Sequence, residues 1–256
     1  MSGTHATVTL TALSGIPAIL PGDDVATILA EALDATGLTP RDGDVLVVTH
    51  KIISKAEDRY RNLEDVTPSP RALELAAATG KDAALVEVIL SESRELLRSR
   101  RELIITVHRS GVVMANAGVD RSNVPGGRER VLLLPEDPDA SSAALRVALH
   151  ERFGVDIAVV VSDSAGRAWR NGVVGLALGA AGLPALQDLR GRNDLEGRPL
   201  EVTQVGLADE IASAAELLMG EADEGRPAVL VRGVRWRESP VMAAALIRDQ
   251  ELDLFR

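Results

Sequence analysis

Along this 256-residue chain the spacing of apolar positions changes several times, and each change marks an element. Unbroken runs such as Val45–Val48 and Ile157–Val161 read as buried strands, because β-branched residues crowd into short segments that end abruptly at polar ones. Runs of this kind predict strands at 7–13, 45–49, 103–108, 112–115, 131–134, 157–161, 200–204 and 228–231. Apolar positions three and four apart predict helices at 24–36, 69–79, 82–98, 141–153 and 208–219. Asp24, Asp82 and Ser141 read as N-caps, while Gly37, Gly80 and Gly154 stop the helices before them. Two strands close together around Arg109–Gly111 predict a hairpin, so the sheet has an antiparallel component. The fold class is therefore mixed α/β (α+β) and not a purely doubly wound sheet. Gly172, Gly175, Gly179 and Gly182 do not fit a dinucleotide fingerprint, and their spacing suits a helix packed closely against its neighbour. After Gly233 the stretch 236–256 reads as an amphipathic helix with Ser-Pro near its start, serving packing or dimerisation.

Aromatic residues make up only 2% of a chain that is 46% hydrophobic, so the core must be built from Val, Leu, Ile and Ala. That scarcity argues against binding single-stranded nucleic acid by base stacking. Lys and Arg number 28 against 38 Asp and Glu, and the resulting net charge of −10 disfavours nucleic-acid and anionic-membrane surfaces. An anionic ligand would need a local cationic pocket or a metal ion. The chain has no cysteine, which excludes disulfides, thiolate zinc sites and cysteine nucleophiles. The N-terminal stretch lacks the pattern of a secretory signal, and no apolar run reaches bilayer length. The expectation is a soluble, cytoplasmic protein.

The most informative stretch is IAVVVSDSAGRAWRNG, in which an apolar run delivers Asp163 to its own end and two arginines, Arg167 and Arg170, follow. A carboxylate can hold a divalent cation, and arginines can hold phosphate or carboxylate oxygens, so the combination suits a metal-bound polyanion such as a nucleotide. Upstream, VVMANAGVDRSNV sets Asp120 after a turn of small residues, with Ser122 and Asn123 beyond it. Asp120 and Asp163 could share a metal, or each could serve as a loop Asx-turn or a helix cap. Arg167 and Arg170 could equally pair with Asp209 and Glu210, and Lys51 and Lys55 could be charges at a strand end. There is no phosphate-loop motif and no GxSxG, and the four histidines lack metal-ligand spacing.

Five segments resemble one family. They are DGDVLVVTHKIISKAED (42–58), VEVILSESRELLR (86–98), AGVDRSN (117–123), VSDSAGRAWRNG (161–172) and LADEIASAAELLMG (207–220). In this order they resemble the coenzyme F-420-0:L-glutamate ligases, which extend a deazaflavin coenzyme with γ-linked glutamates, and the likeness runs from about residue 13 to 233. It implies an unusual two-lobed fold with mixed and antiparallel sheets, one ligase domain over 8–235 and an extension over 236–256. It also implies a homodimer that uses GTP, L-glutamate, F-420-0 and two Mn²⁺ or Mg²⁺ ions, with K⁺ as a further ion. Carried onto this chain, Asp120, Asp163, Ser164 and Glu221 match the metal positions, although Glu221 also fits an exposed acidic turn. Ile16, Pro17, Ala18, Ile19, His50, Lys55 and Asn123 match nucleotide-contacting positions, His50 through its backbone or its side chain. Lys55, Arg167 and Arg170 would stabilise the transferring phosphoryl group or hold an anionic substrate. Where many relatives carry Gln-Thr-Asp or Gln-Thr-Asn, this chain has Val173, Val174 and Gly175, so its substrate contacts differ there. It ends at Arg256 without the nitroreductase-like domain of fused relatives, and the expectation is that it lacks their reductase activity. A metal-dependent phosphohydrolase on the same aspartates, or a non-catalytic nucleotide- or deazaflavin-binding module, stands as the alternative.

Overall fold

A computed structural model describes residues 6–254; the first five residues and the last two of the expected C-terminal helix lie outside the described residues. The first half contains β1 (Thr9–Ala12), α1 (Val25–Ala35), β2 (Val45–Thr49), α2 (His50–Ala56) and β3 (Tyr60–Asn62). There follow α3 (Pro70–Thr79), α4 (Ala83–Ser91), β4 (Ser93–Arg100), β5 (Leu103–His108), β6 (Val113–Ala115) and β7 (Arg130–Leu132). The second half contains α5 (Pro138–Phe153), β8 (Ala158–Arg167), β9 (Arg170–Ala181), β10 (Gln187–Asp188), β11 (Gln204–Val205), α6 (Leu207–Met219) and β12 (Ala228–Arg232).

The main sheet has the strand order β1-β12-β2-β8-β9; β2 and β8 run parallel and every other pair is antiparallel. Because successive side chains of a strand point to opposite faces, β2 feeds two cores at once. Leu46 and Val48 pack with α1 and α5, whereas Val45 and Val47 pack with α6. This double burial explains why β2 reads as a continuous apolar run and not as an alternating one. A separate core of Leu75, Val86, Ile89, Ile104 and Val131 joins α3 and α4 to β5 and β7. The architecture is mixed α and β with open sheets, in agreement with the class read from sequence.

Several expected elements need correction. The helix expected over 82–98 stops at Ser91, and 93–100 pairs as a strand with β5. Glu92 explains the break: its buried carboxylate receives Arg59 and Arg109, which fixes the chain direction whatever the helix propensity of ELLR. The cap of α5 is Asp137, four residues before the Ser141 expected in that role; its side chain accepts the Ala140 amide, and Pro138 opens the helix. Only Gln204 and Val205 form the strand expected over 200–204. The 236–256 segment is not an amphipathic helix; its described part holds 3₁₀ turns at Ala243–Leu246 and Gln250–Leu252. Its backbone is committed elsewhere, since Val241 bonds to Leu183 and Ala185 while the Ala243 and Ala244 amides go to Asp139.

Gly172, Gly175 and Gly179 lie on β9 and Gly182 just past its end, not on a helix. The close packing inferred from them is nevertheless present, because β9 is pressed between two helix backbones. A Cβ on Gly175 would sit 2.5 Å from the Ala212 carbonyl oxygen of α6, and one on Gly179 would sit 2.1 Å from the Pro138 carbonyl oxygen. Strand β9 is also the sheet edge, and carboxylates occupy its outward donors: Asp209 accepts the Ala177 amide and Asp139 accepts the Ala180 amide.

Candidate functional site

The parallel pair β2 and β8 ends in register at Thr49 and Ser162. Beyond those ends β2 turns directly into α2, while β8 continues as an antiparallel ribbon with β9. Asp163 is therefore the first residue past the parallel ladder, and it lies within a long strand instead of at a strand terminus. The crevice outside the carboxyl ends of such strands is where open α/β sheets bind ligands. A cavity of about 270 Å³ occupies this crevice.

Its walls bring together Ile16, Pro17, Ala18, Ile19, Lys55, Asn123, Asp163, Ser164 and Glu221, nine residues expected from sequence. They come from the β1–α1 connection, from α2, from the loop after β6, from β8 and from the end of α6. Gly220, at φ 74, turns the chain out of α6 and brings Glu221 back towards β8. There the Ser164 hydroxyl donates to Glu221 Oε2 at 2.9 Å. Asn123 itself has φ 56, a left-handed conformation that Asn adopts more readily than most residues.

Asp120 adjoins the cavity through Lys51. Lys51 Nζ lies 2.7 Å from Asp120 Oδ2 and donates to Ser122 Oγ at 2.7 Å, while the Ser122 amide and hydroxyl both bond back to Asp120. Burial pushes the Asp120 carboxyl up, but these hydrogen bonds outweigh it and hold the group below the usual carboxylate range. Burial, and then the neighbouring Lys51 charge, pull the Lys55 ammonium below the usual lysine range; Asp120 offsets part of the effect. His50 stands behind Asp163, with its ring buried and Nε2 at 3.4 Å from Asp163 Oδ1, and Nδ1 faces Ser54 Oγ at 3.2 Å. His50 is the first residue of α2.

Arg167 and Arg170 are not on this wall. Four residues along an extended strand carry Arg167 about 13 Å beyond Asp163, to the tip of the β8–β9 ribbon, where it donates to the Gly172 carbonyl oxygen. Nor do they pair with Asp209 and Glu210 among the described residues; Asp209 instead serves the β9 edge.

Two groups at the centre of the site were given no functional role by the sequence reading. Lys51 is the cation between Asp120 and the cavity. Glu216, on α6, lines the cavity and is bonded to Glu221. Burial first, then the charge and hydrogen bond of Glu221 and the charge of Asp163, push the Glu216 carboxyl up to about 7, with Lys51 opposing. The one available signal was acidic residues flanking Gly220, but a glutamate inside a helix ordinarily reads as a solvated face.

The donor set suits a hard divalent cation. Asp120, Asp163, Glu216, Glu221 and Ser164 offer only oxygen ligands, the kind that Mg²⁺ and Mn²⁺ prefer. Crowding of Glu216 against Glu221 leaves negative charge that a cation would relieve. Among the described residues no three His, Asp or Glu side chains converge on a point, and Asp120 is turned to Lys51.

Against known proteins, residues 15–233 match the family model described as F420-0:Gamma-glutamyl ligase. This chain belongs to that family. A relative from Methanopyrus kandleri, named coenzyme F420:L-glutamate ligase, is 49% identical over 242 residues, covering 93% of each chain. One of the same name from Methanothermobacter thermautotrophicus is 45% identical over 251 residues, 97% of this chain and 99% of its own. A third from Methanocaldococcus jannaschii is 43% identical and covers 84% of this chain and 85% of its own. The family match begins just before the Ile16–Ile19 wall and ends at Gly233, so it includes every residue of the cleft. No helix among the described residues is long and apolar enough to cross a membrane.

Proposed function

We propose that this protein is a ligase that joins L-glutamate to the tail carboxylate of F-420-0, driven by GTP and assisted by divalent cations. The observation that carries this reading is the meeting of Asp163, Ser164, Glu216 and Glu221 with Lys51 and Lys55 on one wall of the cleft, in a chain of this family. A carboxylate does not condense with an amine at neutral pH unless it is first activated. In the proposed reaction the γ-phosphoryl group of GTP passes to the tail carboxylate, giving an acyl phosphate and GDP. The neutral amine of glutamate then attacks the carbonyl carbon; the C–N bond forms, the C–O bond to phosphate breaks, and the amine gives up a proton.

Such chemistry asks a protein for positioning and charge, not for a nucleophile. The segment Ile16–Ile19 and Asn123 would hold the nucleotide, and Lys55 would face its phosphates. Asp120, Asp163, Ser164 and Glu221 would hold Mg²⁺ or Mn²⁺, which when bound neutralises phosphate charge. Lys51 would be released from Asp120 as that carboxylate turns to the cation. Arg167 and Arg170, at the ribbon tip, have no part within their own chain's cleft. The homodimer implied by the family resemblance belongs to the same reading, and light scattering at assay concentration tests it.

An end-point mass-spectrometric assay with F-420-0, L-glutamate, GTP and Mn²⁺, omitting one component at a time, tests the reaction. Product heavier by glutamyl units is expected only in the complete mixture, and is lost in Asp163→Ala. Phosphate release from GTP without added mass and without any need for glutamate would replace the ligase by a phosphohydrolase.

A further inference from the structure

A second cavity, about 680 Å³, opens between the β5–β6 turn, the start of α5, strand β9 and the C-terminal segment. Its size suits a small-molecule site, which ordinarily spans some hundreds of Å³. Val112, Val113, Leu176, Leu178 and Ile247 supply apolar walls, and Asp209 sets a carboxyl among them. Asp209 accepts the Ala177 amide through Oδ1, Asp137 caps α5, and Asp139 accepts the amides of Ala180, Ala243 and Ala244, while Glu136 and Asp253 line the cavity as well.

Two regularities place this cavity beside the cleft. Leu176 on its wall is the cross-strand partner of Asp163, and such partners stand about 5 Å apart on the same face of the sheet. Asp209 and Glu216, one on each cavity, are both on α6 at a spacing of two turns. Residues so spaced point the same way, about 10 Å apart. Strand β6, next to the apolar walls, packs against β8, which carries Asp163.

We propose that this second cavity seats the flat heteroaromatic head of the acceptor while the acceptor's tail carboxylate lies at Asp163. The inference rests on the ligase reading and extends it. That acceptor is long, with a tricyclic ring, a sugar-alcohol chain, a phosphodiester and a terminal carboxylate. Ring and reacting carboxylate cannot share a 270 Å³ cleft with a nucleotide, and a separate cavity, whose Asp209 lies about 10 Å along α6 from Glu216 of the cleft, resolves the conflict. The ring faces meet the apolar walls, and the pyrimidine edge, with its N–H between two carbonyls, meets Asp209.

The test uses 8-hydroxy-5-deazariboflavin, which has the ring and ribityl chain but no phosphate or carboxylate, titrated against the full chain by its own fluorescence. Binding is expected without nucleotide or metal, and Asp163→Asn leaves it intact. Val113→Trp and Met242→Trp, at exposed positions of the cavity wall, weaken it about tenfold and raise KM for F-420-0 about tenfold (roughly 1.4 kcal/mol each), with GTP binding unchanged. Failure of the ring to bind the wild-type chain, or ring binding and KM untouched by both tryptophans, overturns the proposal. Ring binding that the tryptophans abolish, in a wild-type chain that does not ligate, keeps the cavity assignment and removes the ligase reading.

Discussion

Gly175 links the fold to the cleft, and replacing it by alanine tests that link. The residue lies on β9 opposite Ser164, and Ser213 of α6 donates its hydroxyl to the Gly175 carbonyl oxygen. A methyl group there would meet the Ala212 carbonyl oxygen at 2.5 Å and its carbon at 2.6 Å. Ordinary contact needs about 3.5 Å, so α6 must retreat by roughly 1 Å. Both contacts are helix backbone and cannot rotate away as a side chain would. Overpacking of this kind costs about 2–3 kcal/mol, which for a chain of this size lowers the melting temperature by roughly 5–10 °C. The displacement also moves Glu216 and the turn that presents Glu221. A misplacement near 1 Å at a reacting centre can cost about 100-fold in rate, so kcat should fall far more than the fraction of folded protein does at assay temperature. Gly166→Ala is the control, since a methyl at Gly166 meets nothing within 4 Å and its φ is not positive. Differential scanning calorimetry and the glutamyl-transfer assay read the two effects. If Gly175→Ala melts with Gly166→Ala and turns over at the wild-type rate, the claim that bare backbone contact sets the position of α6 is wrong.

Other consequences are equally direct. Asp163→Asn should abolish ligation, by 100-fold or more, yet leave the metal-free melting temperature unchanged or slightly higher, because Asp163 adds to the repulsion around Glu216; it should also lose the stabilisation that Mn²⁺ gives the wild-type chain in a thermal-shift titration. Lys51→Met should strip Asp120 of its ammonium partner, raise the carboxyl's pKa as followed by NMR, and lower kcat at least tenfold. Glu92 is only 3% exposed; burial pushes its carboxyl up, but the nearby His108 ring, the Arg109 hydrogen bond and the charges of Arg109 and Arg59 overcome this and hold it at about 2. A depressed folded-state pKa stabilises above the unfolded value near 4.5 and is lost as pH falls towards 2, so about 3 kcal/mol should disappear across that window. Urea midpoints measured from pH 6 to pH 3 should show the fall, and Glu92→Gln should be less stable at pH 6 and flatter below it.

How much of this was legible beforehand depended on which force decided each element. Strands β2 and β8 were legible because they are buried on both faces, and no other element makes a short unbroken run of Val and Ile. Helix α1 was legible from its Asp24 cap and its apolar spacing. The ELLR segment was not, since its helical composition yields to a buried carboxylate at Glu92 held by arginines 33 and 17 residues away in sequence. Strand β9 was misread because glycine and alanine look like helix packing when the partner is unknown. The same small residues are what two helix backbones require of a strand beneath them.

The cleft divides in the same way. Asp163 stood out by its place after an apolar run, though chemistry alone left it balanced against a turn or a cap, whereas Ser164, Asn123 and Glu221 were assigned through resemblance. Lys51 and Glu216 were reachable by neither route, because their meaning is relational. A lysine at the start of a short helix says nothing until Asp120 arrives from a loop 69 residues later in sequence, 2.7 Å from its ammonium. Glu216 is an ordinary helical glutamate until Gly220 folds Glu221 back against it. Pairing of this kind is the expected signature of a site that must hold concentrated phosphate charge for part of its cycle and not for the rest. Without the ions the protein must neutralise its own carboxylates, and it does so with one lysine on Asp120 and with a hydrogen bond between two glutamates. Each is a contact that an arriving cation can replace without disturbing the core, since Lys51 and Glu221 line the cleft, Asp120 adjoins it through Lys51, and none belongs to a hydrophobic cluster.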